Sequence, residues 1–200
     1  MIRRATLADA DAVLHCLRTA FVPFRDLYSP EAFADTTLTP ETVGQRFAAM
    51  QVFVLELTGA GVVGTIACAV HDEAGQNAGG SEGVQESEPR GGLDRSAHNN
   101  ARSGHISARG SREGLVRSGH IRGMAVLPDY QGKGAADQLL HAAEAALRAA
   151  GCTRVTLDTT APLQRAIRFY ERNGYRATGH VSDFYGMELF EYEKDLGAGG

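Results

Sequence analysis

The sequence predicts a mixed α/β fold, a central sheet of six or seven strands with helices on both faces. Segments that alternate with a strand period and segments with a helical period succeed one another along most of the chain. Residues 119–136 run from an apolar strand through a glycine turn directly into an alanine-rich helix, a unit suited to a sheet covered by helices. At 200 residues and 21.3 kDa the chain has the size of one domain, spanning residues 1–200, with a core that buries more than half of its unfolded surface.

Residues 2–5 read as a short first strand. Thr6 then caps a helix running to about residue 21, with Leu7, Ala10, Val13, Leu14 and Leu17 on one face. Residues 23–40 form a broken, aromatic-containing stretch, and Thr39 with Pro40 at the first helical position starts a second helix through about residue 50. Strands at 52–57 and 62–70 are joined by Thr58, Gly59, Ala60 and Gly61, a hairpin signal. After the strand at 119–126, Leu127, Pro128 and Asp129 end the run. The helix from about 134 to 150 presents Ala136, Leu139, Leu140, Ala143 and Leu147 on one face, and Gly151 stops it. A buried strand at 155–158 follows. Pro162 opens a helix that reaches Asn173, with Ala166, Ile167, Phe169 and Tyr170 as its apolar positions, and 175–178 and 187–194 supply the last two strands.

Residues 72–118 break this pattern. They are rich in Gly, Ser, Asn and Arg, almost free of aromatics, and follow neither period, so they bury too little surface to offset their ordering entropy and read as a disordered insertion. Loop-closure cost grows slowly with length, so the core tolerates it. Asp72, Glu73, Glu82, Glu86 and Glu88 make its first part acidic, whereas Arg90, Arg95, Arg102, Arg109, Arg112 and Arg117 make its second part basic. Arg-Ser-Gly-His-Ile occurs twice, starting at Arg102 and at Arg117, as a local duplication would leave it. Arginines spaced by small polar residues can follow phosphates, but the stacking aromatics of a nucleic-acid arm are missing.

A net charge of −4 and a pI of about 6.0 give no overall attraction to nucleic acid or anionic membranes. Cys16, Cys68 and Cys152 lie apart in apolar stretches and read as reduced core residues of a cytoplasmic protein. Met1 to Asp11 is charged with no apolar run after it, and eighteen continuous apolar residues occur nowhere, so neither secretion nor a membrane span is expected.

The turn at 131–136, Gln131-Gly132-Lys133-Gly134-Ala135-Ala136, predicts an anion site. Glycines let the backbone approach a phosphate, small alanines keep side chains clear, and the first N–H groups of the helix point outward unpaired. A nucleotide-triphosphatase loop is excluded because Lys133 is followed by Gly134 rather than Ser or Thr. A dinucleotide fingerprint starting at Gly132 would need a small residue where Asp137 stands. Gln131, Gly134 and Ala136 instead match the acetyl-coenzyme A signature of the GNAT N-acetyltransferases: Gln or Arg, two spacers, Gly, a spacer, Gly or Ala. "HIRGMAVLPDYQGKGAADQLLHAAEAAL", "VTLDTT" and "AIRFYERNGYRATG" resemble, in order, that family's cofactor strand, loop and helix, its following strand, and its Phe-Tyr-Glu helix ending in Asn-Gly-Tyr.

The resemblance implies acetyl transfer from acetyl-CoA to a primary amine of a small molecule or peptide, in a ternary complex, with no metal. It puts the pantetheine arm along Met124, Ala125 and Val126, at a bulge where two central parallel strands part, and the pyrophosphate on the main-chain N–H groups of Gln131, Gly132, Lys133, Gly134, Ala135, Ala136 and Asp137. Tyr170 matches the family tyrosine beside the thioester sulfur. His120 stands where many members have a Glu, and Asp158 ends the strand where others place a catalytic Glu; either, or water alone, can serve as base. Leu163 replaces an Asn that some members use to hold the cofactor arm. An acceptor pocket is expected between residues 23–40 and a turn at 180–186, with Phe24, Tyr28, Phe184 and Tyr185 as walls and Asp26 or Asp183 for a cationic amine. A sensor that binds acyl-CoA without turnover is the rival reading, favoured by Leu163 and by His120 in place of Glu. The sequence leaves the oligomeric state open, a homodimer included.

Overall fold

Strand β2 (Gln51–Leu57) shows how one sheet carries two cores. Val52 and Val54 face one side, Phe53 and Leu55 the other, as the two-residue period of a strand requires. The computed structural model describes residues 1–72 and 117–197. Within them β1 (Ile2–Arg4), β2, β3 (Gly61–Asp72), β4 (Arg117–Val126), β5 (Cys152–Thr160), β6 (Arg176–Phe184) and β7 (Met187–Asp195) form one sheet in the order β1-β2-β3-β4-β5-β7-β6. β4 and β5 are parallel and every other neighbouring pair is antiparallel. This is the predicted mixed sheet.

Helices cover both faces. α1 (Ala10–Phe21) and α3 (Val43–Ala49) pack Val13, Leu14, Leu17 and Val43 against Val52, Val54 and Ala125. On the other face α4 (Ala135–Ala149) and α5 (Gln164–Arg172) bring Leu139, Leu140, Ala143, Leu147, Phe169 and Tyr170 onto Val63, Ile66, Ile121, Val155 and Leu157. Cys16, Cys68 and Cys152 are all buried, and burial pushes the thiols of Cys16 and Cys68 up to about 11.

Several boundaries differ from the sequence reading. Thr6 does cap, through a reciprocal box with Asp9, but the first turn, Leu7–Asp9, is 3-10 and the α-helix begins at Ala10. Residues 23–40 contain an unforeseen helix, α2 (Pro30–Thr37), capped by the Ser29 hydroxyl accepting from Ala32 N–H. The following helix starts at Val43, since Thr39 and Thr42 bond each other's backbone and hold a turn there. The helix opened by Pro162 starts at Gln164. β6 is longer than predicted: residues 180–184 belong to it, and the turn shrinks to Tyr185 and Gly186. Asp72, Arg117 and Ser118 pair in β3 and β4, so the insertion is narrower than 72–118; the rest of it, with its predicted disorder, charge polarity and first repeat, lies outside the described residues.

Glu144, on the α4 face that carries Leu140 and Leu147, is 1% exposed. Its carboxylate accepts from Tyr175 Oη at 3.1 Å, Lys194 Nζ at 2.8 and 3.0 Å, and Arg148 Nη2 at 3.3 Å. This network fastens α4 to β7 and to the residue preceding β6. Removing the carboxylate strands a half-buried ammonium and a buried phenol, so Glu144→Ala should lower unfolding free energy by about 3 kcal/mol in chemical denaturation. A loss under about 1 kcal/mol would show that the network contributes little.

Candidate active site

Pairing between β4 and β5 runs from Arg117↔Cys152 to Ile121↔Leu157 and stops. Beyond it each strand is held only by its outer neighbour: Arg122, Ala125 and Val126 pair with β3, and Asp158, Thr159 and Thr160 pair with β7. The parting coincides with a bulge. Ala67 and Thr65 of β3 oppose Arg122 and Ala125, so β4 carries one extra residue at Gly123–Met124, slightly ahead of the stretch the sequence suggested. Gly123 has φ +64°, and a Cβ there would stand 2.7 Å from Arg46 Nη1, so both backbone and neighbour favour glycine. The free inner edge of β4 forms one wall of a cavity of about 860 Å³.

At one end of this cavity lies the glycine turn. Gly132 and Gly134 have φ of +73° and +77°, and Gly134 caps α4. Gln131 fixes the turn, donating from Nε2 to Val126 O at 2.9 Å and accepting at Oε1 from Arg165 Nη1 at 3.0 Å. Of the ten residues expected to hold a coenzyme, Met124, Ala125, Val126, Gln131, Gly132, Gly134, Ala136 and Asp137 line the cavity. Lys133 and Ala135 do not: the Lys133 ammonium lies 5.7 Å from the Tyr130 ring centroid, and the Ala135 side chain is in the core. Arg165 and Arg172, which the sequence reading missed, do line it. They are seven apart, two turns of one helix, so the helical period already set them on one face.

Tyr170 is 8% exposed and lines the same cavity, its ring edge-on to Phe169 and Tyr175 at 5.5 and 5.8 Å. Burial raises its phenol well above the ordinary tyrosine range. Leu163 lines the cavity as well, so the position that departs from the family pattern faces the expected arm.

Asp158 and His120 are brought together, but only Asp158 lines the cavity. His120 Nε2 lies 3.5 Å from Asp158 Oδ2, and Nδ1 lies 3.0 Å from Thr156 Oγ1. Thr156 Oγ1 also reaches Gly119 O at 3.5 Å, so its hydroxyl bridges the imidazole to the β4 backbone. Burial first, then Arg122, His71 and Arg46, lower the His120 pKa to about 4, so the ring is neutral at pH 7 and its approach to Asp158 is no ion pair. Asp158 is shifted the other way, raised chiefly by burial and then by Glu191.

The expected acceptor walls also converge. Phe24, Tyr28, Phe184, Tyr185 and Asp183 line the cavity, and Asp26 does not. Tyr28 Oη bonds Thr160 Oγ1 at 2.5 Å, and Ser29 Oγ donates to Tyr185 O at 2.9 Å, tying the segment before α2 to the last turn. Asp183 accepts from Gly186 N–H at 3.2 Å and so closes that turn. Arg122 pairs with Asp35 of α2 at 2.5 Å, while Arg46 of α3, 9% exposed, also reaches the cavity.

A model of the acetyltransferase (GNAT) family matches residues 17–175, and the chain belongs to that family, an acyltransferase by class. Its fold is similar to those of solved GNAT structures across nearly the whole chain. A GNAT acetyltransferase from Staphylococcus aureus Mu50 superposes with a TM-score of 0.63 at 12% identity, covering 98% of both chains. PaiA N-acetyltransferase from Thermoplasma acidophilum, solved in complex with coenzyme A, gives 0.58 at 14%, again 98% of both. The ribosomal-protein-S18-alanine N-acetyltransferase from Escherichia coli gives 0.57 at 16%, covering 100% of this chain and 96% of the other. Among curated proteins nothing matches. No described helix is long and apolar enough to cross a membrane, and no metal-binding group of three or more His, Cys, Asp or Glu occurs among the described residues.

The left-handed backbone at Gly123 sets a first test of the site. Gly123→Ala should cost about 1 kcal/mol of stability, since the Arg46 guanidinium can move aside but the backbone strain stays. An unchanged denaturation midpoint would show that the bulge relaxes freely.

Proposed function

We propose that the protein transfers an acetyl group from acetyl-coenzyme A to the primary amine of a small molecule or peptide by direct attack in a ternary complex. The observation that supports this best is the free inner edge of β4, which joins the glycine turn to Tyr170 and Asp158 within one cavity. Bound there, acetyl-coenzyme A supplies an activated acyl carbon and a thiolate leaving group. Met124, Ala125 and Val126 receive the pantetheine arm as an added strand, satisfying main-chain groups that β5 leaves unpaired. The N–H groups of Gln131, Gly132, Lys133, Gly134, Ala135, Ala136 and Asp137 take the pyrophosphate, with charge added by Arg165 and Arg172.

The amine nitrogen forms a bond to the acyl carbon, the C–S bond breaks with its electron pair on sulfur, nitrogen gives up one proton and sulfur gains one. Freeing that amine at pH 7 costs about 4.6 kcal/mol for a lysine-like pKa near 10.4 and about 1.4 kcal/mol for an α-amine near 8. Asp158 receives the proton, directly or through a water, and its raised pKa makes it a better base than an exposed carboxylate. His120 does not line the cavity and its Nε2 lies 3.5 Å from Asp158 Oδ2, so it positions that carboxyl rather than meeting substrate itself. Tyr170 donates a hydrogen bond to the departing sulfur. Full proton transfer from a phenol raised above 10 to a thiolate of pKa about 8.5 is uphill by more than about 2 kcal/mol, so the sulfur takes its proton from solvent afterwards.

Calorimetry should detect acetyl-coenzyme A binding, and thiol release with a panel of amines should detect turnover; absence of affinity at millimolar coenzyme would end this reading, and binding without turnover would leave a sensor. Tyr170→Phe should reduce kcat roughly tenfold to hundredfold, the effect of losing one hydrogen bond to a forming charge, with coenzyme affinity retained. An unchanged rate would remove Tyr170 from the chemistry. Because Asp158 must be ionised to act and its pKa is raised, kcat/KM should fall as pH drops through a range above the usual carboxylate values. Asp158→Asn should remove the inflection that belongs to this carboxylate, leaving the pH dependence set by the amine's own ionisation, and reduce kcat by about a hundredfold. The same inflection in the variant, with kcat retained, would assign the base elsewhere.

A further inference from the structure

Arg46 is the buried arginine among those that line the cavity. It is 9% exposed, its guanidinium lies over Gly123 where β4 parts from β5, and it has no hydrogen-bond or ion-pair partner among the described residues. Asp35, the carboxylate that acts on it electrostatically, is already paired with Arg122 at 2.5 Å. Burial, reinforced by Arg122, lowers its pKa only to about 10, so it stays charged at pH 7. A nearly buried guanidinium without an anion is a costly arrangement for a folded chain to keep, and its planar fork of donors matches a carboxylate.

The opposite charge is present in the same cavity. Among the described residues Asp158 is in an ion pair with no cation, its neighbour His120 being neutral at pH 7, and Arg122 acts on it only at a distance. Asp183 is already engaged by Gly186 N–H. Arg165, Arg172 and Asp137 belong to the glycine turn and α5, where the pyrophosphate is placed, and Arg122 and Asp35 neutralise each other. Away from that turn Arg46 is the cation, and Asp158 the carboxylate bound to no N–H donor, that line the cavity with Phe24 and Tyr28. From this pattern we propose that the acceptor is an amino acid-like zwitterion, an amine that carries its own carboxylate, with the carboxylate held by Arg46 and the amine presented toward Asp158. This deepens the proposed acetyl transfer and rests on its placement of the acceptor; Arg46 is a substrate-binding residue in it, on α3 and away from the glycine turn.

The test reads binding, so it does not depend on turnover. Calorimetry on the full chain, with and without coenzyme A, is run with the protein α-amino acids, β-alanine and 4-aminobutyrate, each beside its amide, and with 2-aminoethyl phosphate. At least one acid should bind tenfold or more tightly than its amide. Arg46→Gln and Arg46→Met, the second keeping the aliphatic packing, should bring that ratio below threefold while coenzyme A affinity is unchanged; Arg46→Lys should retain part of the preference. The proposal is overturned if no acid is preferred over its amide in the unaltered protein, if the preference survives in a folded Arg46 variant, or if the phosphate compound binds best. Loss of coenzyme A affinity in the variants would reassign Arg46 to the coenzyme and overturn it too. Failure of the unaltered protein to bind coenzyme A, with the acid preference intact, would instead count against the acetyl-transfer reading alone.

Discussion

The parting of β4 from β5 after Ile121↔Leu157 is the constraint on which the rest of the site depends. A parallel pair at the centre of a sheet normally exchanges hydrogen bonds along its whole length, and here the exchange ends partway because the extra residue at Gly123–Met124 turns β4 aside. Each strand keeps its other neighbour, so the opening leaves the sheet intact while uncovering main-chain donors and acceptors that need a partner. Gln131 then ties the next turn to Val126 O, which fixes the start of α4 at the far end of the same gap.

Burial governs protonation at the mouth of this gap. Desolvation acts in opposite directions on an acid and a base, so it keeps His120 neutral, raises Asp158 and holds the Tyr170 phenol protonated. Burial thus leaves the imidazole and the phenol uncharged and makes the Asp158 carboxylate easier to protonate, while Arg46 keeps its charge.

Polar groups also do the structural fastening. The buried Glu144 carboxylate is shared by Tyr175, Lys194 and Arg148, joining α4 to β7. Tyr175 in turn packs on Tyr170, so the network that anchors the helix also backs the tyrosine that faces the cavity. Position of the cavity wall and stability of the core therefore share residues.

The elements of strong period were legible in the sequence because period is a local property: the α4 stripe, the hairpin of β2 and β3, and the glycine turn all stand where their residues imply. Local chemistry also identified the family, since Gln131, Gly134, Ala136 and the Phe-Tyr-Glu helix lie in continuous stretches that the family model matches. What tertiary structure alone decided is everything that depends on partners distant in the chain. α2 forms in a segment whose pattern is obscured by its aromatics, β6 extends past residue 178 because β7 offers it a ladder, and Glu144 is buried because Lys194 and Tyr175 arrive to meet it. The same holds for the charges: Asp158 before His120, Arg122 consumed by Asp35 and Arg46 left over are outcomes of which strand and helix lie side by side, and electrostatic pairing over separations such as 87 residues leaves no mark on local sequence.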